Sequence, residues 1–318
     1  MSTLPTPYTS QAILPWEHAL KVEMACEILP TVSIVIPIYN SGRFLEKTLR
    51  SLLCNDLNGV ELLLMDGGST DDTMQIVDHY KPMFAHVFSG KDKGQSDAIN
   101  NGYAKASGDI LYWLNGDDII LPNTLNQVRR YFKKHKCCQV LVGNAYMTEI
   151  DLTSINHFVF SPEKLTFEHL LDYAKHHLIQ PSVFFTRKAW ETAGPLDIHD
   201  HYAMDADLFI GMAKVFTLHH IDIDIAYSVY HEECKTRGAR GESITSLALV
   251  QAKHGGFKEC RETLNILVSL YKELEAELQS SSPSNARLKA LEAKLTALTA
   301  HQERQKELAL QSDLEMHP

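Results

Sequence analysis

Two periodicities alternate along the first half of the chain. Val32-Ser33-Ile34-Val35-Ile36 and Val60-Glu61-Leu62-Leu63-Leu64-Met65 are short, aliphatic and bounded by turn-formers, the pattern of strands buried on both faces. Pro37 is expected to end the first. Between them, after the turn Asn40-Ser41-Gly42, Phe44, Leu45, Thr48, Leu49, Leu52 and Leu53 recur at helical spacing. Ser69-Thr70-Asp71-Asp72 offers caps for a helix carrying Met74, Ile76, Val77 and Tyr80, and residues 85–88 read as a third strand. Gly94-Gln95-Ser96-Asp97 opens another helix with Ala98, Ile99, Tyr103 and Ala106 on one side, which Gly108-Asp109 breaks. Residues 110–114 form a fourth strand. Pro122 stands where a first-turn proline is tolerated, ahead of Leu125, Val128, Tyr131 and Phe132. Residues 140–142 give a further strand. This alternation predicts an α/β fold, a mostly parallel sheet flanked by helices.

From residue 146 to 242 the pattern loosens. A strand at 183–185, a helix ending near Gly194 and a helix over 206–215 stand out. After residue 243, Leu264, Leu267, Tyr271, Leu274 and Leu278 alternate three and four apart. Ser280-Ser281-Ser282-Pro283-Ser284-Asn285 interrupts, and Leu288, Leu291, Leu295 and Leu298 repeat the spacing. Each seam is too short for a free two-stranded coil, so a C-terminal α-helical hairpin is expected. It packs on itself or on a second subunit, which leaves open a homodimer, a membrane partner or simple shielding of the core. The predicted organisation is an N-terminal arm over 1–30, an α/β domain over 31–242 and a helical extension over 243–318.

Composition adds exclusions. The chain has 318 residues, 44% hydrophobic and 22% charged, enough for a sizeable core, and a net charge of −10. That charge argues against nucleic acid as a partner, though a metal ion can neutralise a small nucleotide. The cysteines, Cys26, Cys54, Cys137, Cys138, Cys234 and Cys260, form no CxxC pair, which points to reduced thiols and a cytoplasmic setting. No apolar run approaches the length of a membrane span, and the start of the chain lacks the basic-then-apolar order of a signal peptide.

The candidate chemistry sits at strand ends. Asp66 follows the second strand, where a carboxylate accepts hydrogen bonds from a base or ribose in open α/β sheets, or simply shapes a turn. Asn115-Gly116-Asp117-Asp118 follows the fourth. Adjacent carboxylates there are costly unless solvated, paired or bound to a cation, and Mg²⁺ or Mn²⁺ takes such ligands together with substrate phosphates. Asp92-Lys93-Gly94 leads into a helix N-terminus, which favours anions. Asp205-Ala206-Asp207 offers a general base or an ordinary helix cap. His231-Glu232-Glu233-Cys234-Lys235-Thr236-Arg237 gathers an imidazole and two cations that suit a diphosphate or a solvated loop. The pairs His176-His177, His199/His201 and His219-His220 match no zinc spacing.

Taken in order, these segments resemble the inverting glycosyltransferases of family 2, which have the GT-A fold. The resemblance runs from Val32-Ser33-Ile34-Val35-Ile36-Pro37-Ile38-Tyr39-Asn40 through Asp66-Gly67-Gly68-Ser69-Thr70-Asp71 and Asp92-Lys93-Gly94-Gln95-Ser96-Asp97. It continues through Trp113-Leu114-Asn115-Gly116-Asp117-Asp118, Gln180-Pro181-Ser182 and Met204-Asp205-Ala206-Asp207 to His231 and Lys235. It covers about residues 31–240. It implies that Pro37, Tyr39 and Asp66 line a nucleoside pocket and that Asp92, Lys93 and Gly94 edge the nucleotide-sugar site. Asp117 and Asp118 would hold Mg²⁺ or Mn²⁺ on the diphosphate, under His231 and Lys235. Asp205 would be the catalytic base, with Gln180 and Pro181 on the acceptor side. The implied partners are a nucleotide-sugar donor, expected to carry UDP, and a glycan or lipid-linked acceptor, in the cytoplasm or peripherally at the inner face of a membrane.

Three positions depart from that pattern. Gly67 stands where many relatives carry a second Asp, Asn115 replaces the first Asp of DxD, and Met204 replaces an acidic residue before the base. They resemble the Asp-Gly-Gly-Ser-Thr-Asp subgroup associated with bacterial polysaccharide assembly. A sugar-nucleotide-forming nucleotidyltransferase would need a Gly-rich basic loop after the first strand, and an oxidoreductase a GxGxxG; neither is present. The remaining rival is an inactive glycosyltransferase-like scaffold acting through its helical C-terminus.

Overall fold

The computed structural model describes residues 4–234 and 239–280. The chain divides into two compact units, Met1–Cys234 and Lys235–Pro318. The first begins with strand β1 (Val32–Ile38), helix α1 (Leu45–Leu53), β2 (Val60–Asp66), α2 (Thr73–His79), β3 (His86–Ser89), α3 (Gln95–Lys105) and β4 (Ile110–Trp113). There follow β5 (Ile119–Ile120), α4 (Thr124–Lys134), β6 (Val140–Thr148), β7 (Ser154–Phe158), α5 (Phe167–Leu171) and α6 (Tyr173–His176). The unit closes with β8 (Val183–Thr186), α7 (Arg187–Ala193), α8 (Met204–Val215) and β9 (Leu218–Val229).

The strands form one sheet in the order β3-β2-β1-β4-β8-β6-β9-β5, with β7 against β6. The expected parallel sheet is its first half: β3, β2, β1 and β4 are all parallel. The second half is mixed, because β8 runs antiparallel to both β4 and β6 while β9 runs parallel to β6. Every residue of β1 and β4 is buried, as expected for strands covered on both faces. The main core joins Ile34, Ile36, Leu62 and Leu64 to Leu45, Leu49 and Leu52 of α1 and to Leu125 and Val128 of α4. Burying each such side chain contributes roughly 1.5–3 kcal/mol.

Two local expectations need correction. Pro37 does not end β1, which runs on to Ile38, paired with Asp66. The Leu114 N–H donates to the Val35 carbonyl on the β4 side, and the Gly67 N–H to the Ile38 carbonyl on the β2 side. Successive residues alternate, so Pro37 faces the β4 side beyond the last β4 pair, where no ladder bond is missed. Pro122 lies before α4, not in its first turn; Asn123, in the left-handed conformation at φ 57°, separates it from the helix.

The arm before β1 is held to the first unit by buried polar and apolar contacts. Leu14 packs with Ile119 and Val229, and Trp16 adds to that cluster. Glu17 forms a buried ion pair with Arg50 of α1. Arg50 also donates to the Tyr80 hydroxyl and the Pro5 carbonyl, both at 3.0 Å.

In the second unit, α9 (Arg240–Lys253) and α10 (Phe257–Ser280) pack on each other across the turn at Gly255-Gly256. The first predicted seam lies on α10: Leu267 is buried and Tyr271 and Leu274 are half-buried, whereas Leu264 is exposed. The second, Leu288 to Leu298, lies outside the described residues.

Candidate active site

Register brings the two carboxylate clusters to one edge. Asp66 ends β2 opposite Ile38, and Trp113 ends β4 opposite Val35, so both following loops leave the C-terminal edge of the parallel strands. Gly116 lets the second loop lie against the end of β1: a Cβ there would sit 2.8 Å from Ile38 Cγ2 and 3.2 Å from Ser41 Oγ.

Asp66 is buried and strongly held. Its Oδ1 accepts from the Ser69 N–H at 3.0 Å and the Ser69 hydroxyl at 2.6 Å, and its Oδ2 from the Ser89 hydroxyl at 2.5 Å. Asp92 comes close beside it: a Cβ on Gly67 would lie 3.0 Å from Asp92 Oδ2. The departure at position 67 therefore has a local reason, since a side chain there would crowd Asp92. Asp92 Oδ1 accepts from the Gly94 N–H at 2.8 Å, and Asp97 from the Lys93 N–H at 3.1 Å, which ties this loop to the start of α3. Tyr39 and Lys93 are exposed beside this edge, and Pro37 is buried in β1.

The two adjacent aspartates point to different places. Asp117 is partly exposed, and its Oδ2 lies 3.0 Å from His231 Nε2. His231 is buried and stacks on Phe44 at 4.1 Å between ring centres, while Arg43 pairs with Glu233 at 3.1 Å. The Glu233 N–H donates to His231 Nδ1 at 3.2 Å, so the hydrogen-bond network assigns the ring proton to Nε2, facing Asp117. Asp118 is turned inward: its Oδ1 accepts from the Val229 N–H at 3.2 Å and its Oδ2 from Asn115 Nδ2 at 3.1 Å. Burial, and then the neighbouring Asp117 charge, push its pKa well above the usual carboxylate range. The metal-ligand role expected of Asp118 does not fit this position, because pairing β5 with β9 draws its carboxylate under the Val229 backbone.

Asn115 joins both sides of the site. Its Oδ1 accepts from Gln95 Nε2 at 2.7 Å, and its Nδ2 donates to Asp118 and, at 3.0 Å, to Gln180 Oε1. Gln180 donates in turn to the Trp113 carbonyl at 3.0 Å, and the Pro181 carbonyl accepts from the buried Tyr112 hydroxyl at 2.9 Å. One residue beyond Gln95, the Ser96 hydroxyl donates to Met204 Sδ at 2.8 Å. That contact sets the first turn of α8, and with it Asp205, against the start of α3. Asp205 keeps a solvent-facing edge but is otherwise enclosed by protein, and this burial pushes its pKa up to about 6. The Ala206 N–H lowers it, and Asp200 raises it further. The buried Tyr173 lies close enough to feel the Asp205 charge.

Among the described residues, one set of side chains gathers metal-ligand atoms: Asp117, His231 and Cys234, all within 4.8 Å of one another. A carboxylate, an imidazole and a thiol fit a divalent transition ion, and Asp117 is exposed enough for a ligand to reach an ion there. Such an ion would displace the Nε2 proton, as metal binding generally does. Of the expected site residues, Lys235 lies outside those described. Sequence reasoning did not single out Gln95, Phe44 or Cys234. Cys234 lies three residues after His231 in a quoted segment; Gln95 and Phe44 lie in or beside quoted stretches, but only the fold brings them to Asn115 and His231.

Asp66 and the Asp117–His231 pair thus stand at the C-terminal edge of the parallel strands of an α/β fold. The sequence pattern described as Glycosyl transferase family 2 matches residues 33–193, half of the chain, and the chain belongs to that family. It is 27% identical over 254 residues to a chondroitin synthase of Escherichia coli, a match covering 78% of this chain and 34% of that protein. The chain thus spans about a third of that relative's length. Its fold is similar to that of S. aureus TarS 1–349 in complex with UDP, with TM-score 0.56 and 18% identity, covering 79% of this chain and 75% of that one. It is also similar to the mannosyltransferase PcManGT from Pyrobaculum calidifontis in complex with GDP-Man and Mn²⁺, with TM-score 0.54 and 16% identity, covering 91% and 87%. Among the described residues, no helix is long and apolar enough to cross a membrane.

Proposed function

We propose that the chain is a metal-dependent inverting glycosyltransferase. It moves a sugar from a nucleoside-diphosphate donor, expected to be a UDP-sugar, to a hydroxyl of a glycan or lipid-linked acceptor in cell-surface polysaccharide synthesis. One observation carries this reading. An ion-ready Asp117–His231 pair and a carboxyl of raised pKa, Asp205, are linked through Asn115, Gln95, Ser96 and Met204. Family membership supports it. So do the UDP bound to TarS, the GDP-Man and Mn²⁺ bound to the mannosyltransferase, and the name of the E. coli relative.

In this reading Asp66, Tyr39 and Pro37 bound the nucleoside, and Asp92, Lys93 and Gly94 edge the donor sugar. Asp117 and His231 would hold Mg²⁺ or Mn²⁺, with Lys235 as a further cation toward the diphosphate. The charge of the departing nucleoside diphosphate is offset by the ion when bound. Asp118 buttresses the turn from within. Gln180 and Pro181 flank the acceptor. Asp205 accepts the acceptor's hydroxyl proton as oxygen bonds to the anomeric carbon and the bond to the diphosphate oxygen breaks. A single displacement inverts the configuration.

Asp205→Asn tests the assignment. It is expected to keep UDP binding within about twofold while transfer falls by at least ~10²-fold, the range lost with a general base. Normal transfer by this variant would remove Asp205 from the role. Calorimetry with UDP and Mn²⁺, and donor hydrolysis across common UDP-sugars, separate an enzyme from an inactive scaffold, which would show neither.

A further inference from the structure

The geometry points to Cys234 as a third protein ligand of the metal centre, giving a site that takes thiophilic divalent ions more tightly than Mg²⁺. This rests on the metal-dependent reading of the same site. Cys234 Sγ, His231 Nε2 or Nδ1 and an Asp117 carboxylate oxygen lie within 4.8 Å of one another. The thiol is also oriented. The His231 N–H donates to Sγ at 3.3 Å, and the Sγ–H donates to the Val229 carbonyl at 3.4 Å. His231 cannot swing away easily, being buried, stacked on Phe44 and bonded through Nδ1 to the Glu233 N–H. Backbone and ring contacts therefore hold the sulfur beside the Asp117–His231 pair.

The donor set sets the preference. Carboxylate and water oxygens alone suit Mg²⁺, whereas imidazole plus thiolate favours Mn²⁺ less than Co²⁺, Zn²⁺ or Cd²⁺. On binding, a metal–sulfur bond forms and the thiol proton leaves to solvent, so the ion enters as the thiolate complex. Asp118, bonded to the Val229 N–H and to Asn115, belongs to no such set.

Titrating the full chain with Co²⁺ alone, without nucleotide, tests this directly. The expected result is a near-ultraviolet thiolate-to-Co²⁺ charge-transfer band that is lost in Cys234→Ser and in Asp117→Asn. Exposed Cys26 and Cys137 serve as internal controls, since a band arising from them survives Cys234→Ser. In competition titrations, Cys234→Ser should weaken Cd²⁺ binding by about tenfold or more and change Mg²⁺ binding by less than about twofold. Circular dichroism should match between the chain and the variant. Co²⁺ bound without the band, a band surviving Cys234→Ser, or no Co²⁺ binding would each overturn the assignment. Metal-dependent UDP binding, measured alongside with Mn²⁺, tells whether the transferase reading survives that result.

Discussion

In its proposed role as the base, Asp205 has opposite effects on catalysis and on stability. As a base it works only when ionised, so the transfer rate is expected to fall toward acid with an apparent pKa of about 6. Its folded pKa stands above the ordinary 3.8, so the folded state binds its proton more tightly than the unfolded chain does. That contribution to stability is full below about pH 3.8 and is lost as pH rises through about 6. At pH 7.5 the ionised carboxyl is therefore a cost, and Asp205→Asn should melt about 2–4 °C higher, for on the order of 1 kcal/mol after allowing for its solvent-facing edge. The gap should close below pH 4. Asn115 presents the reverse case. Asn115→Ala removes three side-chain bonds and leaves the buried Asp118 with fewer donors, so chemical denaturation should show a loss of about 1–3 kcal/mol. The strand ends marked Asp66 and Asp117 as candidates, whereas Asp205 was singled out through the family resemblance, its own spacing reading equally as a helix cap. The opposite orientations of Asp117 and Asp118 were not legible, because they depend on where the Val229 backbone lies.

The elements found by period were those with one dominant period. β1, β2, β4 and α3 fall within a residue or two of their expected bounds. β9 was not expected, although Ile221, Ile223 and Ile225 alternate with Asp222 and Asp224 along it. The alternation spans only five residues, and most of the strand is only partly buried, so no continuous apolar run marks it. The hydroxyl of Ser33 also ties β1 to the loop before β4, accepting from the Gly108 N–H at 2.7 Å. A Cβ on Gly108 would meet the Ser33 backbone nitrogen at 2.5 Å, and backbone cannot give way. Gly108→Ala should cost about 1–3 kcal/mol in thermal or urea unfolding. Gly90→Ala, with nothing within 4 Å of the new carbon, should be close to neutral.

Across the first unit, the N-terminal arm shares in holding the site. Leu14 packs on Ile119 and Val229, which flank Asp118 and carry the chain toward His231. The Glu17–Arg50 pair fastens the arm to α1, both side chains being 4% exposed. Glu17→Ala strands a buried guanidinium and should destabilise the fold by about 3–5 kcal/mol, read from denaturant midpoints. Replacing both partners with apolar residues, as Glu17→Leu with Arg50→Met, should recover most of that loss, because desolvating the charges offsets much of the pair's attraction.

By itself the sequence determined the alternation of strand and helix, the strand ends at which carboxylates emerge, and a family resemblance that the family match bears out. These are local properties: period, turn chemistry and motif order act over a few neighbours. The tertiary structure decided which carboxylate faces the ion-ready cluster, which is buried under Val229, and which thiol joins the imidazole. It also decided the raised pKa of Asp205 and the Asn115 bridge to Gln95 and Gln180. Apart from the three-residue turn from His231 to Cys234, those depend on contacts between residues tens to more than a hundred positions apart, where orientation and burial rather than residue type set the chemistry.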